Sequence, residues 1–353
     1  MPIRLLKMNP LQMRMEKMKD KLKQIQDHIR KSQSILITSH RDPDGDSIGS
    51  QLALAEFVES QGKNVWIINQ GDLPYKYEFL DPQRKILKAN STSEEMRLKT
   101  GFDLVLVLDC TSLDRIGDVE KLIPTKITLV NIDHHPDNDR FGTFNYLDIE
   151  ASAVGEIIFS LLKLSGFSFT PRVATQLYAT ILTDTGRFKF SNTSPHCLRI
   201  CAELIEAGAE PKQVTNQIYF NHSLPFLKLL GSMLSHPQIK LDGKICAMTI
   251  NQDLLSQLKV DPSEMEGVVD YSLFLRGVEI GLLFTEKENE KTKVNLRSQN
   301  AFDVSQVARI FGGGGHRNAA GCTLNLSLKE AEKIVVEQIE KILKNEPVGS
   351  LSN

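Results

Sequence analysis

Apolar positions in the first half of the chain come in short, nearly unbroken runs at 34–39, 65–68, 103–108 and 127–132, each stopping at polar or acidic residues. Runs of this length with no polar alternation predict strands buried on both faces. Between them the period changes. Ile48, Leu52, Ala55 and Val58 recur at helical spacing over 47–61, and the pattern stops at Gly62. Stretches 153–164 and 172–182 read as further helices. Strands alternating with helices predict an α/β fold whose parallel sheet is flanked by helices. After residue 190 the pattern shifts to a helix over 197–205 closed by Gly208, and another over 224–234. Strands then follow at 245–250, 278–285 and 293–298, with a charged hairpin tip at 286–291 and a last helix at 327–343. This predicts a second, smaller α/β domain with a mixed sheet, starting near residue 230.

The composition fits that picture. The 353 residues are 41% hydrophobic and 24% charged, enough for two packed domains. No apolar run approaches the roughly 20 residues that span a bilayer. A net charge of −2 supplies no global field for a polyanion, so an anionic ligand must be met by local positive groups or metals. Cys110, Cys197, Cys201, Cys246 and Cys322 are odd in number and form no CxxC pair, which suggests reduced, packed thiols in a cytoplasmic protein. Residues 1–33 carry nine Lys and Arg against three acids, without the apolar segment of a signal peptide. They read as a basic, mildly amphipathic helix facing solvent, with an RNA- or membrane-surface arm as the lesser reading.

The chemistry gathers at the predicted strand ends. His40, Asp44 and Asp46 follow the first run, Asp109 the third, and Asp133, His134 and His135 the fourth. Ligands of an open parallel sheet bind outside the carboxyl ends of its strands, so these stretches converge on one crevice. Asp184, at a helix end, must approach from the side. Imidazole mixed with carboxylate suits Mn²⁺, with Mg²⁺, Co²⁺ or Zn²⁺ as alternatives. Two metals need a shared carboxylate, and Asp109, alone after a buried strand, is a natural bridge. Asp44 and Asp46 serve different metals if the turn between them is extended, with Gly45 easing that turn. Asp42, before a proline, reads as a turn residue. His28, His196, His222 and His236 have no such company. Downstream, Gly312, Gly313, Gly314 and Gly315 precede His316, a run suited to backbone N–H groups approaching an anion. A flexible linker is the competing reading, weakened by the flanking Val307, Ile310, Phe311 and Ala319. Arg297 and Ser298 end a nearby strand, Arg297 being either a phosphate clamp or half of a salt bridge.

Together these motifs resemble the DHH phosphoesterase family. Asp133-His134-His135 is the triplet behind its name, and the glycine loop resembles that of the DHHA1 partner domain. The resemblance covers roughly 33–345 and is strongest to the short, nanoRNase-type members. It implies that His40 and Asp44 bind one manganese, that Asp46, His134 and Asp184 bind the other, and that Asp109 bridges them. It also implies that His135 faces the substrate phosphate, and that Arg297, Ser298, Gly312–Gly315 and His316 line the substrate-binding side. The implied layout is a basic helical extension (1–33), a DHH catalytic domain (34–190), a linker with helices (191–229), a DHHA1 domain (230–345) and a tail (346–353). The implied activity is two-metal hydrolysis of short oligoribonucleotides to mononucleotides and of 3′-phosphoadenosine 5′-phosphate to AMP, in the cytoplasm and without a membrane. A soluble phosphodiesterase for pApA or cyclic dinucleotides shares the chemistry, and a non-catalytic nucleotide- or RNA-binding module is the reading from another class. Homodimers occur among related proteins, so a homodimer is a further expectation.

Overall fold

The computed structural model describes residues 10–89, 101–265, 267–288, 290–299 and 302–344; the side chains of 10–17, 262, 263 and 316 lie outside the description. The tail at 346–353 and the first nine residues of the extension fall outside it as well. Two compact units divide the chain, Met1–Asn221 and His222–Asn353.

The first unit is built on six parallel strands in the order β3-β2-β1-β4-β5-β6: β1 (Ser34–Thr38), β2 (Asn64–Asn69), β3 (Ile86–Lys88), β4 (Leu104–Leu108), β5 (Thr128–Asp133) and β6 (Phe144–Leu147). The four longer strands fall where the apolar runs predict them. The edge strands β3 and β6 are too short to leave a periodic signal. One face of the sheet (Ile35, Ile37, Leu104, Leu106, Val130, Ile132) packs on helices. The other (Leu36, Ile68, Val105, Val107, Leu129) is covered by Ile116, Val119 and Leu122 from 3-10 turns over Leu113–Leu122.

The helices of this unit are α1 (Pro10–Lys31), α2 (Gly45–Ser60), α3 (Val154–Leu164), α4 (Pro171–Asp184), α5 (Pro195–Glu206) and α6 (Pro211–Tyr219). The solvent-facing reading of the basic extension is corrected here. Leu22, Ile25 and Ile29 of α1 are buried in the main core, and Gln26 donates to Leu161 O and Ser165 Oγ. Three apolar residues at i, i+3 and i+7 make a narrow stripe, easily outweighed in a sequence by nine surrounding cations. Cys197 and Cys201 are buried on one face of α5, as their spacing predicts.

Helix α2 is buried nearly all round, and glycines bring it close to α4. A Cβ on Gly49 would sit 2.5 Å from Gln176 O, one on Gly45 2.5 Å from Thr183 Cγ2, and one on Gly155 of α3 1.7 Å from Thr180 Oγ1. Gln176, Thr180 and Thr183 lie on one stripe of α4, whose last residue is Asp184. Gly45 therefore serves helix packing and not an open turn, because α2 begins at that residue.

The second unit contains α7 (Leu224–Ser235), α8 (Gln252–Leu258), α9 (Val304–Ile310), α10 (Leu328–Leu343) and a mixed sheet ordered β11-β12-β10-β9-β8-β7. Its strands are β7 (Gln238–Lys240), β8 (Ile245–Ile250), β9 (Ile280–Lys287), β10 (Lys291–Ser298), β11 (Gly314–His316) and β12 (Ala319–Leu324). Only β8 and β9 pair in parallel. One sheet face packs on Ala331, Val335 and Ile339 of α10, the other on Phe226, Leu229 and Met233 of α7. Segment 191–229 is shared: α5 and α6 pack into the first core, α7 into the second.

Gly49→Ala puts a methyl against a backbone carbonyl that only a shift of α4 can relieve. It is expected to cost about 1–3 kcal/mol, as overpacking does, with a melting temperature roughly 2–4 °C lower per kcal/mol. Unchanged melting of the variant would show that α2 and α4 are not in this close contact.

Candidate metal centre

Each candidate ligand is set by a local constraint. Asp44 is the N-cap of α2, its Oδ1 accepting from Asp46 N (3.0 Å) and Ser47 N (3.1 Å). Asp46 lies in the first turn of α2, not on an extended strand end, which corrects the expectation for that turn. Its carboxylate reaches across to α3, accepting from Val154 N at 2.7 Å and Gly155 N at 3.0 Å. Ala153, the N-cap of α3, has no capping side chain, so Asp46 satisfies donors that α3 leaves open. Asp109 follows β4 with φ +53, a conformation uncommon for a side chain with a Cβ. Asp133 is the last residue of β5, and Asp184 the last of α4.

The side chains meet in one buried cluster. His40 Nε2 lies 3.6 Å from Asp109 Oδ2. His134 Nε2 lies 3.5 Å from Asp184 Oδ2, 3.8 Å from Asp109 Oδ1 and 3.9 Å from Asp46 Oδ2. Three groups hold donor atoms within 4.8 Å of one another: His40 with Asp44 and Asp109; Asp46 with His134 and Asp184; and Asp109 with Asp133, His134 and His135. In the third group Asp133 is already committed. Its Oδ1 accepts from His134 N (2.7 Å) and pairs with His135 Nδ1 (2.8 Å), and its Oδ2 accepts from Asn138 Nδ2 (2.7 Å).

These residues fit divalent cations. Asp46, Asp109, Asp133 and Asp184 have no Lys or Arg partner among the described residues, only histidines. Asp109 Oδ1 is buried without a hydrogen-bond donor. A buried carboxylate left this way is costly unless a cation compensates it. The titration shifts follow. Burial, reinforced by repulsion from Asp109 and Asp44, pushes Asp184 up to about 7. Burial with Asp109 and Asp184 raises Asp46 well above the carboxylate range. His134 is pushed up to about 10: burial opposes its charge, but Asp184, Asp46 and Asp109 outweigh it. For Asp109 burial favours the acid, yet His40, His135 and His134 hold it below the usual range. Burial pushes the neighbouring Cys110 thiol up to about 12, and its Sγ donates to Ser112 O at 3.1 Å.

Supporting groups that the sequence did not reveal surround the cluster. His134 Nδ1 meets Ala151 O at 3.2 Å, the outer hydrogen bond that orients a metal-binding imidazole. Asn138 Nδ2 also bonds Asn131 Oδ1 (2.8 Å) and Cys110 O (2.9 Å), linking the ends of β4 and β5. Asn192 Nδ2 donates to Asp184 O and Ser152 O, both at 3.1 Å. Asn131 had a legible signal: a polar residue in a buried strand, two before Asp133 and hence on its face.

The remaining candidates lie in the second unit. Arg297 Nε donates to Asp270 Oδ1 at 3.0 Å, the salt-bridge alternative. Ser298 Oγ donates to Phe302 O (2.7 Å) and accepts from Asn318 Nδ2 (2.8 Å), bracing the glycine segment. That segment is no flexible linker, since Gly314–His316 form β11 against β12. A Cβ on Gly313 would lie 2.2 Å from Gly321 O, and one on Gly315 2.5 Å from Ala319 O. The hairpin itself thus requires two of the four glycines. Gly312 and Gly314 face open space.

Comparison with known proteins matches both units to known domains. Residues 34–183 match the DHH family, N-terminal domain, and residues 242–345 match the DHHA1 domain. The chain is 32% identical over 315 residues to the bifunctional oligoribonuclease and PAP phosphatase NrnA of Thermus thermophilus, covering 88% of this chain and 90% of that protein. It is 29% identical over 311 residues to the protein of the same name from Bacillus subtilis, covering 86% and 93%. An exopolyphosphatase-related protein from Bacteroides fragilis superimposes with a TM-score of 0.84 at 25% identity, covering 93% of this chain and 97% of its own.

Removing metal exposes the titration shifts as stability. The stabilising charge on His134 is fully present below its unfolded value near 6.5 and is lost as pH rises through about 10. Asp184 folds most favourably when protonated and loses that contribution as pH rises through about 7. The metal-free protein is therefore expected to lose melting temperature through Asp184 as pH rises towards about 7 and through His134 from there to about 10, and saturating Mn²⁺ to flatten that slope. Parallel pH profiles with and without metal would contradict a cation site at these residues.

Proposed function

Since the chain belongs to the DHH family, a metal-dependent phosphoesterase with a DHHA1 domain after its catalytic domain, we propose that it hydrolyses short oligoribonucleotides to mononucleotides and 3′-phosphoadenosine 5′-phosphate to AMP, with two Mn²⁺ ions. The observation that carries this reading is the pair of ligand groups flanking Asp109, in a chain that over most of its length parallels proteins named for those two activities. The domains are taken as 34–190 and 230–345. Five buried free cysteines, and no described helix long and apolar enough to cross a membrane, support a cytoplasmic setting.

His40 and Asp44 would hold one ion and Asp46, His134 and Asp184 the other, with Asp109 as the carboxylate shared by both. When bound, the ions supply activation of water near neutral pH and neutralise charge at phosphorus. Asp133 orients His135 through Nδ1, and His135 is assigned the donor to a phosphoryl oxygen. Burial opposes the charge on His135, but Asp133 raises its pKa, favouring the donor form. The open backbone at Gly312 and Gly314 is assigned a second phosphate or the terminal nucleotide, together with His316 and with Arg297, whose Nε is held by Asp270. A homodimer remains part of the proposal, as an expectation from the family.

Product analysis tests the reading. The Mn²⁺-loaded protein is expected to release mononucleotides from 5′-labelled RNA dimers and pentamers, to spare a 24-mer, and to convert 3′-phosphoadenosine 5′-phosphate to AMP. Asp109→Ala should lose more than the ~10–100-fold that removing an outer-sphere partner costs. Turnover of pApA alone would transfer the protein to dinucleotide signalling. Undiminished hydrolysis by Asp109→Ala would refute the assigned centre.

A further inference from the structure

Building on the phosphoesterase reading above, we propose that Arg115 is a substrate-binding residue of the first unit, a guanidinium built into the rim of the metal crevice to pair with a phosphate oxygen of the bound nucleotide. Arg115 lies in the 3-10 segment that follows β4, six residues after Asp109. Two neighbouring loops are stitched to this segment. Arg41 N, one residue after His40, donates to Arg115 O at 2.8 Å. Arg115 Nη1 donates to Thr111 Oγ1 at 3.2 Å, and Thr111 O accepts from Asp139 N at 3.0 Å, four residues after His135. Buried Ile116 and Val119 anchor the same segment under the sheet. The backbone that carries Arg115 is thus tied to the loops that carry His40 and His135.

Its charge is the second observation. Arg115 is half-buried, yet no carboxylate lies within ion-pair distance of it among the described residues. Among the described residues the other half-buried arginine, Arg297, is matched by Asp270. Only Nη1 of Arg115 has an acceptor among the described residues, the hydroxyl of Thr111, two residues after Asp109. A cation carried on the segment tied to the ligand loops, but paired with no carboxylate, is not there to balance their charge. A partly desolvated guanidinium with open donors is unfavourable until an anion arrives. Its planar fork fits two phosphate oxygens better than an ammonium does.

Arg115→Ala and Arg115→Lys in the full chain test this, with Mn²⁺ stoichiometry and melting temperature measured beside activity. On a 5′-phosphorylated RNA dinucleotide, Arg115→Ala is expected to lower kcat/KM by about 100-fold, the scale of one lost charge-stabilising donor. It should weaken AMP binding, read by calorimetry, by roughly 10-fold, a typical share for one charge-assisted contact. Arg115→Lys should recover part of both, as a point charge without the fork. Metal content and melting should not move. Unchanged kcat/KM and AMP affinity would overturn the proposal while leaving the proposed function standing. A parallel loss of metal would also overturn it, showing that Arg115 acts through His40. An unaltered protein that turns over no nucleotide would overturn the proposed function and this contact with it.

Discussion

The burial of several carboxylates in one crevice is the constraint around which the first unit is arranged. Asp109 is 2% exposed and Asp46 1%, and Asp133 is fully covered. Like charges this close repel, and desolvation adds to the cost. The fold offsets them in two ways. Backbone N–H groups at helix starts take Asp44 at α2 and Asp46 at α3, where the helix dipole favours an anion. Histidines take Asp109, Asp133 and Asp184, leaving the outer charge of the cluster for divalent cations.

Close helix packing carries this constraint into the core. Asp46 on α2 and Asp184 on α4 both reach His134 Nε2, so the distance between the two helices sets the ligand geometry. Gly45 and Gly49 set that distance against the stripe Gln176-Thr180-Thr183, and Gly155 sets the approach of α3 to Thr180 on the same stripe. A wider interface would carry Asp184 away from His134 and draw the Val154 and Gly155 amides off Asp46. Stability and metal affinity of this unit are therefore coupled through three glycine contacts.

The central strands and the ligand positions were legible in the sequence for one reason: unbroken apolar runs end in acids and histidines, and in a parallel sheet those ends meet. The rest depended on tertiary contacts without a local period. The spacing of Asp44 and Asp46 was visible, but not that one caps its own helix and the other a neighbouring helix. Gly45 was noticed for its missing Cβ, yet the reason lies in Thr183, far along the chain. Asn138 gives no signal alone, because its partners Cys110, Asn131 and Asp133 come from two strands. The charge of α1 hid the three buried residues that dock it. The glycine run suggested a ligand, whereas two of its members answer to their own hairpin.

The central claim, two cations flanking Asp109, is tested most directly by anomalous diffraction at the manganese edge from Mn²⁺-soaked crystals. The account predicts two peaks per chain, one among His40, Asp44 and Asp109 and one among Asp46, His134, Asp184 and Asp109, about 3.5–4 Å apart. A single peak held by Asp133 and His135 would contradict it, because those two side chains are here committed to each other.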